Sequence, residues 1–262
     1  MHFSLLKDIL NSVVIIVYVN VTKPGEFFSG SLALYLRERN RYPSMEANEV
    51  ESQVLSKVHE EMQQRYIGFD DLAHGWEHIQ RVYRMAVYIA EQENADIFIV
   101  GMAALMHDTG HLSTDTSLHH ADLSISMAGE LLVSYGIPAA TREAILHAIE
   151  AHSFSLGIES RTLEAQVVRD ADRLDALGAI GIVRWAITGV VRRTGETQIY
   201  HPDDPFADWH ALDDRRYMLD HFFTKLLKLE GTIATQTGRA LAQERTAFMY
   251  TYLDAFRKEL AV

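Results

Sequence analysis

The spacing of apolar residues from position 46 onward is the feature that most limits the fold of this chain. In the segment NEVESQVLSKVHEEMQQRY, apolar residues recur every three or four positions, at Val50, Val54, Leu55, Val58 and Met62. This 3.6-residue period is typical of a helix with one face packed on a core. Most later segments repeat it, and none after residue 45 alternates convincingly with a period of two. The sequence therefore predicts an all-α fold.

Capping and helix-breaking residues divide the region from 46 onward into separate helices. Asp96 is a suitable N-cap, and Gly136 with Pro138 ends another helix. The segment RTLEAQVVRDADRLDALGAIG has the helical pattern along its length. Residues 193–214 contain two of the five prolines and are predicted to form a long loop. An additional C-terminal helical part should follow, with helices from about 215 to 229 and from 236 to 260.

The first 44 residues differ from the rest. Their apolar run, ILNSVVIIVYVNV at 9–21, is shorter than the roughly 20 residues that a membrane helix needs. Lys7 followed at once by Asp8, with no small-residue cleavage site, is a poor match to a signal peptide. We therefore expect residues 1–44 to be an N-terminal extension outside the functional core, which we place at 45–262.

Charge and cysteine content narrow the possible partners. The formal net charge is −12, with no block of five like charges, which argues against binding to nucleic acid through a basic face. The absence of cysteine excludes disulfides and thiolate zinc sites. Small phosphorylated substrates remain compatible with this composition, because a local cation can attract them. We expect neither a nucleic-acid nor a membrane partner.

Several histidines and aspartates fall on faces that should be buried. His78 shares one helix face with Val82 and Ile89, and the apolar stretch AALMHDTGH ends in His107 and Asp108. Burying either type of side chain without a partner is costly. Each residue alone would be explained by a hydrogen bond within the core or by a salt bridge.

A third helix adds two carboxylates to these residues. In VVRDADRLDALGAIG, Asp172 and Asp175 share a face with Val168. Three helices that each offer His or Asp toward the interior suit a divalent metal with open coordination positions. Mixed nitrogen and oxygen ligands favour Mn²⁺, Fe²⁺ or Zn²⁺.

These residues, in this order, resemble the H…HD…D signature of the HD-domain metal-dependent phosphohydrolases. The segments HGWEHIQRVYRMA, AIEAHSFS, RDADRLDALGAIGIVR and TGRALAQERTAFM extend the resemblance over about 50–260, toward the small stand-alone branch labelled YedJ-like. The resemblance implies an HD-domain helical bundle in which His78, His107, Asp108 and Asp172 hold a divalent ion: Mn²⁺, Mg²⁺, Fe²⁺ or Zn²⁺. Asp108 is the ligand able to bridge a second ion.

The resemblance also implies a function and further site residues. We expect a cytoplasmic enzyme that activates water to hydrolyse a phosphate ester or anhydride, with a nucleotide as the best candidate substrate. His152 and His120 are candidates for moving the proton to the leaving group, and His147 for binding substrate or a second metal. The candidate cations for phosphate oxygens are Arg81, Arg173, Lys225 and Lys228.

Some positions depart from the family pattern. Thr109 and His111 follow the HD pair where relatives usually have Ile or Val, then Gly and Lys, so the role of His111 stays open. Which of His119 and His120 faces inward is also open. The GYP motif of cyclic-dinucleotide phosphodiesterases is absent, which argues against that activity.

Two other functions compete with hydrolysis of phosphate. One is a non-catalytic HD module that senses a nucleotide. The other is a zinc protease, because HGWEH at 74–78 matches H-x-x-E-H with Glu77 as base. The protease leaves His107, Asp108 and Asp172 without a role, and we expect His74 in the loop before the helix.

Overall fold

The computed structural model describes residues 45–114, 120–153 and 157–261. Within them, regular structure is helical, and the one β-type pairing is an isolated bridge between Gln198 and Tyr217. The all-α prediction is therefore confirmed. The predicted N-terminal extension and His119 lie outside the described residues, and the role assigned to residues 1–44 stays a prediction.

The helices are named here in chain order. They are α1 (Met45–Arg65), α2 (Trp76–Glu93), α3 (Ile97–Met106), α4 (His120–Ser134), α5 (Ala139–His152), α6 (Leu163–Asp175), α7 (Gly178–Arg192), α8 (Asp220–Thr224) and α9 (Gln236–Leu260). Short 3₁₀ turns lie at Thr109–Leu112, Leu226–Lys228 and Glu230–Thr232. From Val50 onward the described residues form one compact unit.

Helix α3 occupies the centre of this unit. It is apolar on all sides, and Phe98 and every residue from Val100 to Met106 are buried, as expected for a helix surrounded by others. It packs against α2, α5 and α6. The predicted N-cap is confirmed, since the Asp96 side chain accepts a hydrogen bond from the backbone N–H of Ile99 at 3.0 Å. Because α3 ends inside the core, the residues that follow it, His107 and Asp108, are buried as well.

The segment predicted as one helix around Asp172 is two helices, α6 and α7. The break falls after Asp175, and Gly178 has a φ of 71°, in the left-handed region that favours glycine. The prediction of one continuous helix was wrong, because a short turn between two helices does not disturb the apolar periodicity enough to be recognised in the sequence. The turn matters for the site, because it lets Arg184 of α7 contact the last residue of α6.

The C-terminal part differs from its prediction in one place. No helix is described between Arg192 and Asp220, as expected for the long loop, and α9 matches the predicted last helix. The expected helix from 215 to 229 was wrong: α8 is only five residues long and ends where Lys225 adopts a φ of −133°. The buried Asp220 carboxylate accepts a hydrogen bond from Asp213 N–H, which holds the preceding residues in the loop.

No single helix among the described residues is long and apolar enough to cross a membrane. Only Leu163–Asp175 together with Gly178–Val191 has the required length and composition, and the chain bends by 70° between these two helices. Val167, Val168 and Leu174 of the first helix are buried in the core described above.

Candidate metal centre

Four of the side chains singled out in the sequence meet at one point, and we call them the inner cluster: His78 of α2, His107 and Asp108 after α3, and Asp172 of α6. The Nε2 atoms of His78 and His107 are 3.3 Å apart. Asp108 Oδ2 lies 3.4 Å from the first of these nitrogens and 3.6 Å from the second. Asp172 Oδ1 lies 3.6 Å and 4.0 Å from the same two atoms.

The other ring nitrogen of each histidine already has a partner. His107 Nδ1 donates to the carbonyl oxygen of Ala104 at 2.8 Å, and His78 Nδ1 lies 2.7 Å from Asp175 Oδ2. These bonds fix the ring orientation and leave Nε2 as the atom that points into the cluster. Metal-bound histidines have this arrangement, with the remote nitrogen bonded to a carbonyl or carboxylate.

The spacing of the inner cluster fits one divalent cation. Two imidazole nitrogens only 3.3 Å apart, with no donor between them, repel each other unless a cation or proton lies there. Separations of 3.3 to 4.0 Å are those of neighbouring ligands whose bonds to an ion are about 2.1 Å long. Such an ion would have two nitrogen and two oxygen ligands, a set suited to first-row divalent metals.

Asp175 supports this cluster from the side away from the proposed ion. Its carboxylate accepts two hydrogen bonds from Arg81, at 2.7 and 3.0 Å, and one from Arg184 at 2.9 Å, besides its bond to His78. Arg81, predicted to contact substrate, is therefore already paired through this fork. Burial opposes ionisation of Asp175, but its hydrogen bond to His78, together with Arg81 and Arg184, outweighs burial and lowers the pKa of its carboxyl far below the usual range.

Burial and charge set the protonation of the inner cluster. His107 is fully buried, and burial lowers its pKa to about 4, so its ring is neutral at pH 7. The pKa of Asp108 is well below its usual value, because His107, His152 and His78 outweigh the effect of burial. Burial opposes charge on His78 as well, but its bonds to Asp108 and Asp175 raise its pKa. At neutral pH the cluster offers ionised carboxylates, which is the form that binds cations.

His152 approaches the cluster from the end of α5. Its Nε2 lies 3.4 Å from Asp108 Oδ1, and its Nδ1 donates to the carbonyl oxygen of Ile149. The pKa of His152 is raised overall, because the contact with Asp108 outweighs the opposing effect of burial. This histidine, predicted from the sequence as a proton carrier, thus lies beside the predicted ligands.

His120 lies in a different arrangement, a column of stacked imidazoles. The His111 ring is between those of His74 and His120, with centroid distances of 4.4 Å on both sides. His111 Nε2 is 3.9 Å from Asp108 Oδ1. The column therefore lies against the inner cluster, and His74 precedes helix α2 as expected, so HGWEH does not present two histidines from one helix.

The other predicted substrate residues lie elsewhere. Arg173 donates to the Thr232 carbonyl oxygen at 3.0 Å, and His147 Nε2 accepts the Arg161 backbone N–H at 3.1 Å. Lys225 and Lys228 line a cavity of about 190 Å³ together with Asp214, Thr224, Leu229 and Thr232. None of the inner-cluster residues belongs to the described lining of this cavity.

Two contributions were missed from the sequence. The position of Asp175, three residues after Asp172, indicated a shared face but not a role as the partner of His78. Arg184 carried no signal, because its contact with Asp175 depends on the turn between α6 and α7. His111 was noticed only as a departure from a pattern, and its contact with His74 joins residues 37 positions apart.

Comparison with known proteins agrees with this fold and cluster. The HD domain family model matches residues 75–177, which contain the whole inner cluster and Asp175. The uncharacterized protein YpgQ of Bacillus subtilis is 35% identical over 193 residues, which cover 71% of this chain and 84% of YpgQ. The chain therefore belongs to the HD-domain family.

Solved structures extend the comparison. The crystal structure of Bacillus subtilis YpgQ in complex with ADP has a TM-score of 0.62 at 34% identity, and covers 80% of this chain and 96% of YpgQ. A structure described as an HD-superfamily hydrolase from Bacillus thuringiensis has a TM-score of 0.63 at 30% identity, covering 81% of this chain and 99% of that one. The fold is thus that of HD-superfamily hydrolases.

Proposed function

We propose that this protein is a metal-dependent phosphohydrolase that cleaves a phosphate ester or anhydride of a nucleotide. The observation that carries the proposal is the inner cluster, in which two Nε2 atoms and two carboxylates converge while the remote ring nitrogens are bonded away from it. A single divalent ion satisfies all four groups. We take His78, His107, Asp108 and Asp172 as its ligands.

The ion would supply the main chemical step. A bound divalent metal lowers the pKa of water toward neutrality and stabilises negative charge on phosphoryl oxygens. Around it, the protein orients the ligands and excludes bulk water, since His78 and His107 are fully enclosed. Asp172 is the more accessible ligand, with 27% of its side chain exposed, so we place the substrate on its side of the cluster.

His152 is the best placed residue for proton transfer. Its Nε2 can hold a proton 3.4 Å from Asp108 Oδ1, and its Nδ1 bond to Ile149 fixes the ring. A protonated imidazole beside the reacting phosphate can protonate the leaving group. His120 remains a second candidate, because it reaches the same region through its stack on His111.

A nucleotide is the favoured substrate for two reasons. YpgQ, which is similar over most of its length, has been crystallised with ADP. The predicted cations give a means of binding phosphates. Arg173, Lys225 and Lys228 all lie around Thr232, so we propose that they contact a distal part of the substrate rather than the reacting phosphate.

The test is a hydrolysis screen with the full chain. Nucleoside mono-, di- and triphosphates and a generic phosphate ester would each be incubated with Mn²⁺, Mg²⁺, Co²⁺ or Zn²⁺, and released phosphate and pyrophosphate measured. We expect release that requires metal and disappears in Asp108→Ala. Nucleotide binding without release in any combination would favour the sensing module. Casein cleavage that is lost in Glu77→Gln would favour the protease.

A further inference from the structure

A cavity of about 220 Å³ lies beside Asp175, and the proposed reaction does not use it. Residues of α2, α6, α7 and α9 surround the cavity. The part of the lining that matters here consists of three arginines, one carboxylate and two large exposed side chains: Arg81, Arg84, Arg245, Asp175, Tyr88 and Ile180. None of the four inner-cluster residues belongs to the described lining, so the cavity is separate from the proposed metal ligands.

The cavity carries more positive than negative charge. Asp175 is the one carboxylate of its described lining, and it is already shared between Arg81 and Arg184. Among the residues that the structure describes, neither Arg84 nor Arg245 forms an ion pair. Two guanidinium groups of the lining therefore lack a carboxylate partner, and an anion in the cavity would supply one.

Arg245 is held in place before any ligand binds. It donates to the carbonyl oxygen of Leu174 at 2.6 Å, and a Cβ atom at Gly178 would lie 3.1 Å from its Cγ atom, so its stem packs closely on the turn between α6 and α7. Burial lowers the pKa of Arg245 by more than Asp175 and Glu244 raise it. Its guanidinium is thus preorganised but incompletely neutralised, which favours binding of a phosphate group.

Arg81 can contribute without giving up its present partner. Its Nε and Nη2 atoms donate to the two oxygens of Asp175, at 2.7 and 3.0 Å. Its third nitrogen, Nη1, has no hydrogen bond to the described residues. An anion bound there would leave the support of His78 in place.

Tyr88 and Ile180 give the cavity an apolar side. They come from α2 and α7, and they are 47% and 42% exposed. A tyrosine ring favours stacking with a planar group of a ligand. The volume is below the roughly 300–1,000 Å³ of sites for drug-sized molecules, so the occupant should be small.

We propose that this cavity binds a small phosphate monoester, with its phosphate on Arg84, Arg245 and Arg81 and a planar apolar group against Tyr88 and Ile180. A phosphate dianion matches the two arginines that lack a carboxylate, and its three oxygens can accept hydrogen bonds from several guanidinium groups. Because none of these residues is a proposed metal ligand, binding requires no metal and does not depend on the proposed function.

The test is calorimetric titration of the metal-free full chain with phenyl phosphate, inorganic phosphate and benzoate. The pH is kept above the second pKa of phosphate, about 6, so that the phosphates are dianions. Without metal, the ionised Asp108 and Asp172 repel anions from the inner cluster. We expect one phenyl phosphate per chain, bound about two- to ten-fold more tightly than inorganic phosphate because of the ring, and more tightly than singly charged benzoate.

Three variants locate the binding. Arg245→Gln should weaken phenyl phosphate by about ten-fold or more, because a charge-assisted hydrogen bond from a partly buried group is lost. Arg84→Gln should weaken it by about two- to five-fold, since Arg84 is exposed. Tyr88→Ala should weaken phenyl phosphate but leave the affinity for inorganic phosphate unchanged.

Arg142→Gln is a matched control for Arg245→Gln. Arg142 is also partly buried and donates to a backbone carbonyl oxygen, that of Ile137, at 2.6 Å, but it does not belong to the described lining of the cavity. This variant removes the same charge and should keep full affinity for phenyl phosphate. Circular dichroism and thermal melting check that each variant is folded, and the exposed Arg84 and Tyr88 still test the site if Arg245→Gln is not.

Several results would overturn the site. These are no binding of phenyl phosphate to the wild type, unchanged binding in both Arg245→Gln and Arg84→Gln, or an equal loss in Arg142→Gln. Benzoate that binds as tightly as phenyl phosphate would overturn the assignment to phosphate, and equal affinities for the two phosphates would overturn the contact with Tyr88. A lack of metal-dependent hydrolysis would contradict the proposed function alone, since these titrations contain no metal.

Discussion

Two buried groups of histidine and aspartate in this chain differ in how their histidine nitrogens are paired. The inner cluster joins α2, α3 and α6, whereas the second group, which we call the loop cluster, consists of Asp204, His210 and Asp220. In the loop cluster both ring nitrogens of His210 are paired, Nδ1 with Asp204 at 2.9 Å and Nε2 with Asp220 at 3.0 Å. Asp204 also accepts three backbone N–H groups, from Asp208, Trp209 and His210.

The two clusters differ in whether both ring nitrogens of their histidines have hydrogen-bond partners within the protein. In the loop cluster, both ring nitrogens of His210 are hydrogen-bonded to carboxylates of the protein. These carboxylates raise the pKa of His210 against the effect of burial. The loop cluster stabilises the loop and has little left to offer a ligand. In the inner cluster the two Nε2 atoms face each other and carboxylate oxygens lie at 3.4 to 4.0 Å. The same residue types thus hold a loop together in one place and form a candidate cation site in the other.

The largest expected effect comes from removing one carboxylate from each cluster. Asp108→Ala should abolish divalent metal binding and lower hydrolysis by about 10³-fold, because both depend on the ion, while helix content stays nearly unchanged. Asp220→Ala should keep the metal but lose about 3 kcal/mol of stability, or roughly 6–12 °C in Tm, because a buried paired charge is broken. Metal analysis and thermal melting distinguish the two, and reversed results would refute the comparison.

A smaller effect should follow from loosening the support of the inner cluster. Asp175→Asn weakens the bond that orients His78 and leaves Arg81 and Arg184 without their carboxylate. We expect metal affinity to fall by about 10- to 100-fold, measured by competition with a chelating dye. Asp214→Asn, which alters the partner of the partly buried His221, serves as the control and should leave affinity unchanged.

His107 of the inner cluster and His210 of the loop cluster should also respond oppositely to pH in the metal-free protein. The pKa of His107 is lowered from 6.5 to about 4, so the stability it contributes is complete above pH 6.5 and is lost as the pH falls toward 4. Over this pH range the free energy of unfolding falls by about 3 kcal/mol because of His107. The pKa of His210 is raised, so its contribution is complete below 6.5 and is lost as the pH rises through the folded value.

Urea unfolding from pH 4 to 9 measures these contributions. His107→Gln should flatten the dependence of the unfolding free energy on pH between 4 and 6.5. His210→Gln should flatten it above 6.5. Equal slopes in the wild type and in both variants would mean that the two imidazoles do not differ in the way their contacts indicate.

The smallest effect is expected at a residue outside both clusters. Lys228 is exposed and lines the cavity near Thr232. Lys228→Ala should raise KM by no more than about five-fold, with kcat unchanged, since exposed charge contacts contribute about 0.2–1 kcal/mol. Its stability should stay within about 0.5 kcal/mol of wild type. A ten-fold rise in KM would place Lys228 at the reacting phosphate instead.

Prediction from the sequence was most accurate where the signal is local. Apolar periodicity gave the all-α class, and Asp96 marked the start of α3 because a cap acts on N–H groups within one turn. It failed at Gly178 and at residues 215–229, where a turn or a buried carboxylate interrupts a helical pattern. The inner-cluster residues were identified through an ordered family motif together with their position on apolar faces.

What the sequence determines by itself is most of the helices, the apolar helix faces that carry His78 and Asp172, and the apolar helix that His107 and Asp108 follow, since helix period and local capping act within a few residues. The tertiary structure alone decides that Asp175 and Arg184 support His78, that His74 stacks on His111, and that His210 is locked while His107 is not. These contacts join residues distant in sequence. Their distances depend on how whole helices and turns pack, and no local pattern encodes that packing.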